Sequence, residues 1–146
     1  MLADLTAEFF ERHWRDSFGP TPEWTSPWPA NGRGPLPCAD MQGCYALYKG
    51  GDLIYVGLGA SRGAGLYKGH GLGHRLYKHV LRIDWTKEAI DGCRFYAPRE
   101  NWSEMSHLRM IGFPADLSYL APALELFLLK MLPADLPLRN RVRPGS

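Results

Sequence analysis

Between Leu53 and Ile83 the sequence has no aspartate or glutamate, although acidic residues are scattered through the rest of the chain. The same window holds Arg62, Lys68, Arg75, Lys78 and Arg82, with His70, His74 and His79 among them. The formal net charge of the whole chain is only +2. A local positive surface is therefore expected on a nearly neutral protein, and a polyanion is its natural partner. Cysteine is scarce: Cys38, Cys44 and Cys93 are an odd number with no C-x-x-C spacing, which excludes a disulfide framework and a zinc ribbon and predicts buried thiols. Long apolar runs are missing too. The strongest, residues 124–132, is interrupted by Glu125 and Lys130 and falls short of the about 20 residues a membrane span needs. Asp4, Glu8 and Glu11 stand early in the chain, with no basic start followed by an apolar stretch, so a secretory signal is not expected and a cytoplasmic location is the default. Internal repeats and low-complexity tracts are absent. What remains, 146 residues of which 45% are hydrophobic, suits one domain with a single core.

Residues 4–18 place Leu5, Phe9 or Phe10, and Trp14 at near-helical spacing behind Asp4 as N-cap, and Gly19-Pro20 ends the helix. From 19 to 37 six prolines and three glycines predict an extended arm, kept ordered by Trp24 and Trp28. Those tryptophans suit packing; stacking on nucleic-acid bases is the functional alternative.

Residues 44–49 and 53–56 are rich in aromatic and β-branched side chains, and Gly50-Gly51-Asp52 between them predicts a β-hairpin. Residues 57–73 then bring seven glycines. Gly57-Leu58-Gly59-Ala60-Ser61-Arg62-Gly63 does not have dinucleotide-binding spacing, and no parallel strand ending in an acid follows. Lys68 is followed by glycine, which breaks the P-loop pattern, and His70 and His74 lack the paired spacing of a zinc site. Leu72, Leu76, Val80 and Ile83 predict a helix over 72–83, with Arg75, Lys78, His79 and Arg82 on another face. Residues 93–97 read as a third strand, 103–111 as a helix closed by Gly112 and Pro114, and 120–132 as a last helix with Pro122 in its first turn. The class expected is α/β (α+β), a small three-stranded, mainly antiparallel sheet flanked by helices.

Gly43-Cys44-Tyr45 and Tyr55-Val56-Gly57, on adjacent predicted strands, are followed in order by Arg75, His79 one turn later, Glu125 on a late helix and Asn140. Over roughly residues 42–141 this pattern resembles the GIY-YIG endonuclease family. The resemblance implies the same sheet and helix architecture, with a nuclease domain over 42–146 preceded by the helix and Pro/Trp-rich arm of 1–41. It also implies metal-dependent hydrolysis of nucleic acid, DNA foremost, with Mg²⁺ or Mn²⁺ as cofactor. By resemblance Tyr45 lies beside the attacking water as candidate general base, Glu125 is the metal ligand, and Asn140 helps hold the site together. Tyr55, Arg75 and His79 complete the catalytic set, while Arg62, Lys68, Lys78 and Arg82 are candidate nucleic-acid contacts. Many relatives carry a lysine where this chain has Leu58, so Lys68 or His79 has to take its part.

The residue types suit that chemistry. A phenol with an ordinary pKa of about 10 needs nearby cations to act as a base, and the basic window supplies them. The Arg75 guanidinium fork fits a phosphate, and His79 lies about 40° around the helix from it. Glu125 interrupts an apolar helical run, where an unpartnered charge is costly and a bound cation would remove the cost. The blander readings are strand tyrosines packed in a core, a solvated basic helix face and an exposed helix glutamate. A nucleic-acid-binding module without cleavage is the alternative function. One geometric condition applies: Tyr45 and Tyr55 serve one site only from the same face of the sheet. A three-residue loop at Gly50-Gly51-Asp52 pairs Leu47 with Tyr55 and Tyr45 with Gly57, leaving Cys44, Ala46, Tyr48, Ile54 and Val56 on the other face; a two-residue turn would separate the tyrosines.

Overall fold

The computed structural model of the chain describes residues 1–60 and 71–141. Helix α1 spans Leu2–His13, with Met1 at the N-cap position and Asp4 inside the first turn, where its charge complements the helix dipole. It therefore starts before the predicted Asp4 cap and stops earlier than predicted, because Trp14 adopts extended backbone. Leu2, Thr6, Phe9 and Phe10 form its buried stripe, and Phe9 packs against Phe127 at 5.5 Å between ring centroids.

The arm that follows lies along the sheet. Trp24 donates its indole N–H to the Thr6 hydroxyl (2.8 Å), which in turn donates to the Leu2 carbonyl (2.8 Å). Thr25 exchanges hydrogen bonds with Met110, and Trp28–Pro29 forms the short strand β1. Both tryptophans are thus partly buried packing residues.

Strands β2 (Gln42–Lys49) and β3 (Asp52–Gly59) form the expected hairpin, and helix α2 covers Leu72–His79. The helix ends sooner than its apolar spacing predicts. Val80 leaves the helical conformation, and Leu81–Ile83 becomes strand β4, so Arg82 sits on a strand and not on the α2 face. Strand β5, Tyr96–Pro98, pairs with β4 in a separate two-stranded ribbon. The strand predicted over 93–97 therefore does not join the main sheet.

The main sheet instead takes β6, His107–Phe113, which replaces the latter part of the helix predicted over 103–111 and runs on through Gly112. Its order is β1-β6-β2-β3, antiparallel throughout, with four strands in place of the expected three. Leu108 and Met110 pack on one face with Leu72 and Leu76, while Ile111 and Phe113 pack on the other with α1 and helix α3, Leu120–Met131. A strand covered on both faces loses the apolar-polar alternation that marks a half-buried one, and a run such as Leu108-Arg109-Met110-Ile111 then imitates a helix.

The hairpin turn departs from expectation in a way that preserves the site. Lys49 pairs with Asp52, so the loop is the two residues Gly50-Gly51, with Gly50 at φ +59°. Tyr48 then pairs with Leu53 but Leu47 pairs with Tyr55, which leaves Ile54 as an extra residue in β3. This bulge corrects the register by one residue. Beyond it Tyr45 faces Gly57, and both tyrosines return to one face. Ile54 moves to that face as well, and Leu53 takes the expected place of Ile54 beside Cys44, Ala46 and Val56.

Strand β3 is a sheet edge, where unpaired backbone groups need cover. Asn140, on the short turn Arg139–Arg141, supplies some of it: its amide donates to the Val56 carbonyl (2.6 Å) and accepts from the Val56 N–H (3.0 Å). Arg141 donates to the carbonyls of Leu129 (2.9 Å), Leu132 (2.8 Å) and Pro133, closing the C-terminal end of α3. Among the described residues no helix is long and apolar enough to cross a membrane.

Asn140→Ala leaves both Val56 groups unpaired at a partly buried edge, which is expected to cost about 1–3 kcal/mol. Urea unfolding checks this; a midpoint equal to wild type would show that the tail does not hold β3.

Candidate active site

The close approach of Tyr45 to β3 sets the floor of the site. Gly57 stands opposite Tyr45, and a Cβ there would lie 2.2 Å from the phenol ring. Only a glycine lets the ring lie across the strand. Tyr45 is buried, Tyr55 is half-buried, and their rings stack at 5.9 Å and 29°. Trp102, from the loop after β5, meets Tyr55 edge-on at 5.1 Å, and Arg139 lies 4.0 Å over the indole.

Arg75 projects from α2 to the same place. Its Nε donates to the Leu58 carbonyl on the β3 edge (3.1 Å), and its Nη1 lies 3.4 Å from His79 Nε2. The guanidinium is thereby fixed by backbone on one side and faces the imidazole on the other. Glu125 arrives from α3, where Leu124 and Leu128 enter the core and Glu125 stays half-buried between them and solvent. Tyr45, Tyr55, Arg75, His79 and Glu125 line one cleft of ≈ 820 Å³ at the β3 edge, where the α2 side of the sheet meets the α3 side.

The charges in the cleft influence one another. Burial pushes the Tyr45 phenol well above its ordinary value, Tyr55 adds to the shift through its charge and a shared hydrogen bond, Arg75 opposes it, and Glu125 reinforces it. Tyr45 is consequently a protonated hydrogen-bonding group at neutral pH and a poor base. Desolvation raises Glu125 above the usual carboxylate range while Arg75 pulls it back. His79 moves the other way: desolvation, then Arg75, Lys78, Arg99 and His74, hold its imidazole below the ordinary histidine value. A neutral imidazole on an open wall can accept a proton.

Not every predicted residue reaches the cleft. Asn140 acts on the Val56 backbone, as described above. Lys78 and Arg82 are exposed and do not line the cleft. Arg62, Lys68 and His70 lie outside the described residues. Conversely, Asn101, Trp102 and Pro122 contribute walls that sequence reasoning missed. A lone tryptophan in the polar segment 99–104 is the one local signal for them.

A divalent cation fits the cleft in a limited sense. Among the described residues no three histidine, cysteine or acidic side chains gather as a metal-binding group. Glu125 would thus be the one protein carboxylate, the arrangement in which magnesium retains water and takes phosphate oxygens for its other ligands.

In ¹H–¹⁵N spectra His79 should titrate below about 6.5, and Arg75→Ala should move its midpoint back toward that value because a neighbouring cation is gone. A midpoint indifferent to Arg75 would remove the coupling. Comparison of the chain with protein-family models, with curated proteins and with solved structures returns no match.

Proposed function

We propose that the protein is a metal-dependent endonuclease of the GIY-YIG type, hydrolysing phosphodiester bonds of nucleic acid, with DNA as the preferred substrate. The observation that carries this reading is the convergence of Tyr45, Tyr55, Arg75, His79 and Glu125, distant in sequence, on one open cleft. A cleft that combines a fixed guanidinium, two phenols, a neutral imidazole and a carboxylate suits a phosphodiester better than a neutral ligand.

In this reading Arg75 holds the non-bridging phosphoryl oxygens. His79 takes the proton of a water molecule as its oxygen attacks phosphorus in line with the leaving oxygen. The bond from phosphorus to that oxygen breaks, and the alkoxide takes a proton from solvent in the open cleft. Tyr45, which the resemblance casts as the base, is better suited to donating a hydrogen bond to the reacting oxygens, given its raised pKa. His79 then takes the role left open by the absence of a lysine at Leu58. Tyr55, stacked on Tyr45 and braced by Trp102, fixes the direction of the pair. A cation held by Glu125 supplies, when bound, positive charge where negative charge accumulates on the phosphoryl group.

Nicking of supercoiled plasmid and cutting of single-stranded oligonucleotide, with Mg²⁺ or Mn²⁺ against chelator, tests the proposal. Wild type should cleave only with metal. Glu125→Gln, which keeps shape and removes charge, should lower cleavage at least about a hundredfold while leaving binding largely intact. Unaltered cleavage by Glu125→Gln would remove the metal assignment. Binding without cleavage by wild type under either metal would replace the nuclease with a non-cleaving nucleic-acid-binding module.

The acid limb of the pH profile provides a second check. Because the folded pKa of His79 is lowered, its neutral form is present down to below about 6.5, so cleavage should rise with pH through a midpoint under that value. His79→Ala should flatten this limb; an unchanged limb would return the proton-accepting role to another group.

A further inference from the structure

Outside the cleft, the hairpin built on β4 and β5 carries an exposed indole, Trp85, and a half-buried ring, Phe95, each next to a cation. It extends as a hairpin to a tight tip, where Ile90 and Cys93 exchange hydrogen bonds at 3.0 Å in each direction. Asp91 at φ +53° and Gly92 at φ +75° are the two residues of that turn, the backbone that keeps a short hairpin twisted and rigid. Trp85 on this arm is 68% exposed, and the Arg94 guanidinium lies 4.7 Å from its ring centroid. Lys87 lies 5.2 Å from the centroid of Phe95.

One face of Trp85 is engaged by Arg94, which also donates to the Lys87 carbonyl and is thereby fixed. Arg99 is locked onto the Tyr77 and Leu81 carbonyls, bridging the end of α2 to β4, and it is among the cations that disfavour charge on His79. Arg82 and Lys87 both act on Asp84 at the base of the hairpin. Arg82, Lys87, Arg94 and Arg99 thus place four cations on this ribbon and at its base, with Asp84 among them. Asp84 is held by Thr86, and Glu88 and Asp91 place acid toward the tip.

We infer that the β4–β5 hairpin is a second nucleic-acid contact in which Trp85, backed by Arg94, is a stacking platform for an unpaired base of the strand bound in the cleft. The inference rests on the nucleic-acid reading of the cleft. Stacking requires a base whose face is free, so the platform favours single-stranded or locally opened substrate over intact duplex. Arg82 and Arg99 offer positive charge to the backbone of the same strand, while the ring provides sequence-tolerant affinity.

The test is equilibrium binding of the full chain, in chelator so that nothing is cut, to a fluorescein-labelled single-stranded oligonucleotide, the matching duplex and an abasic strand of equal length. Wild type should bind the single strand most tightly. Trp85→Ala should weaken that binding about tenfold, Trp85→Phe should retain most of it, and neither should alter affinity for the abasic strand. Since Trp85 is largely exposed, both variants should fold, and their unfolding midpoints verify it. Equal affinity of Trp85→Ala and wild type for the single strand overturns the platform, as does an equal loss on the abasic strand. The two proposals fail separately: Trp85-dependent binding without metal-dependent cleavage keeps the platform and ends the nuclease reading, whereas cleavage with Trp85-independent binding does the reverse.

Discussion

One extra residue in β3, Ile54, decides which face of the sheet the two phenols occupy. The two-residue turn at Gly50-Gly51 alone would place Tyr45 and Tyr55 on opposite faces, and the bulge restores the register before Tyr55 is reached. Side chains alternate strictly along a strand, so no smaller adjustment does this. The local bend has a second effect. Ile54 joins the core beneath α2, and Leu53 joins the core beneath α1 and α3, so both layers gain an apolar side chain from one irregularity.

The cleft and the stability of the sheet edge use the same residues. Strand β3 has no neighbouring strand on its outer side among the described residues; there Arg75 takes the Leu58 carbonyl and Asn140 holds Val56. Fixing Arg75 by backbone lowers the entropy lost when its remaining N–H groups meet an anion. The arrangement also exposes the cost of a polar cleft at an edge. Tyr45 and Glu125 are both partly desolvated, and Arg75 is the cation that moderates both. Removing Arg75 would therefore disturb more than a phosphate contact.

Much of this was legible in the chain and some was not, for physical reasons. The hairpin is a short-range structure bounded by glycines, and its pairing of Tyr45 with Gly57 was legible, although the turn is one residue shorter than expected and the bulge at Ile54 makes up the difference. Helix α3 is marked by a long apolar run with one carboxylate in it. Strand β6 was hidden because both of its faces are buried, which removes alternation, and the end of α2 was hidden because Ile83 continues the apolar spacing of Leu72, Leu76 and Val80 while belonging to a strand. Asn140 could be found by position but its work on the Val56 backbone could not, since a side chain bonding to a strand distant in sequence leaves no local pattern. The same holds for Trp102, brought to Tyr55 by tertiary packing alone.

The central proposal is that a phosphodiester sits against the fixed Arg75 guanidinium with the paired phenols beside it. A crystal structure of the Glu125→Gln variant with an uncut oligonucleotide measures this directly. The account predicts a phosphate within hydrogen-bond distance of Arg75, with Tyr45 or Tyr55 and His79 facing its reacting oxygens. A strand bound with no phosphate in the cleft, or one held only by exposed lysines and arginines elsewhere, would contradict it.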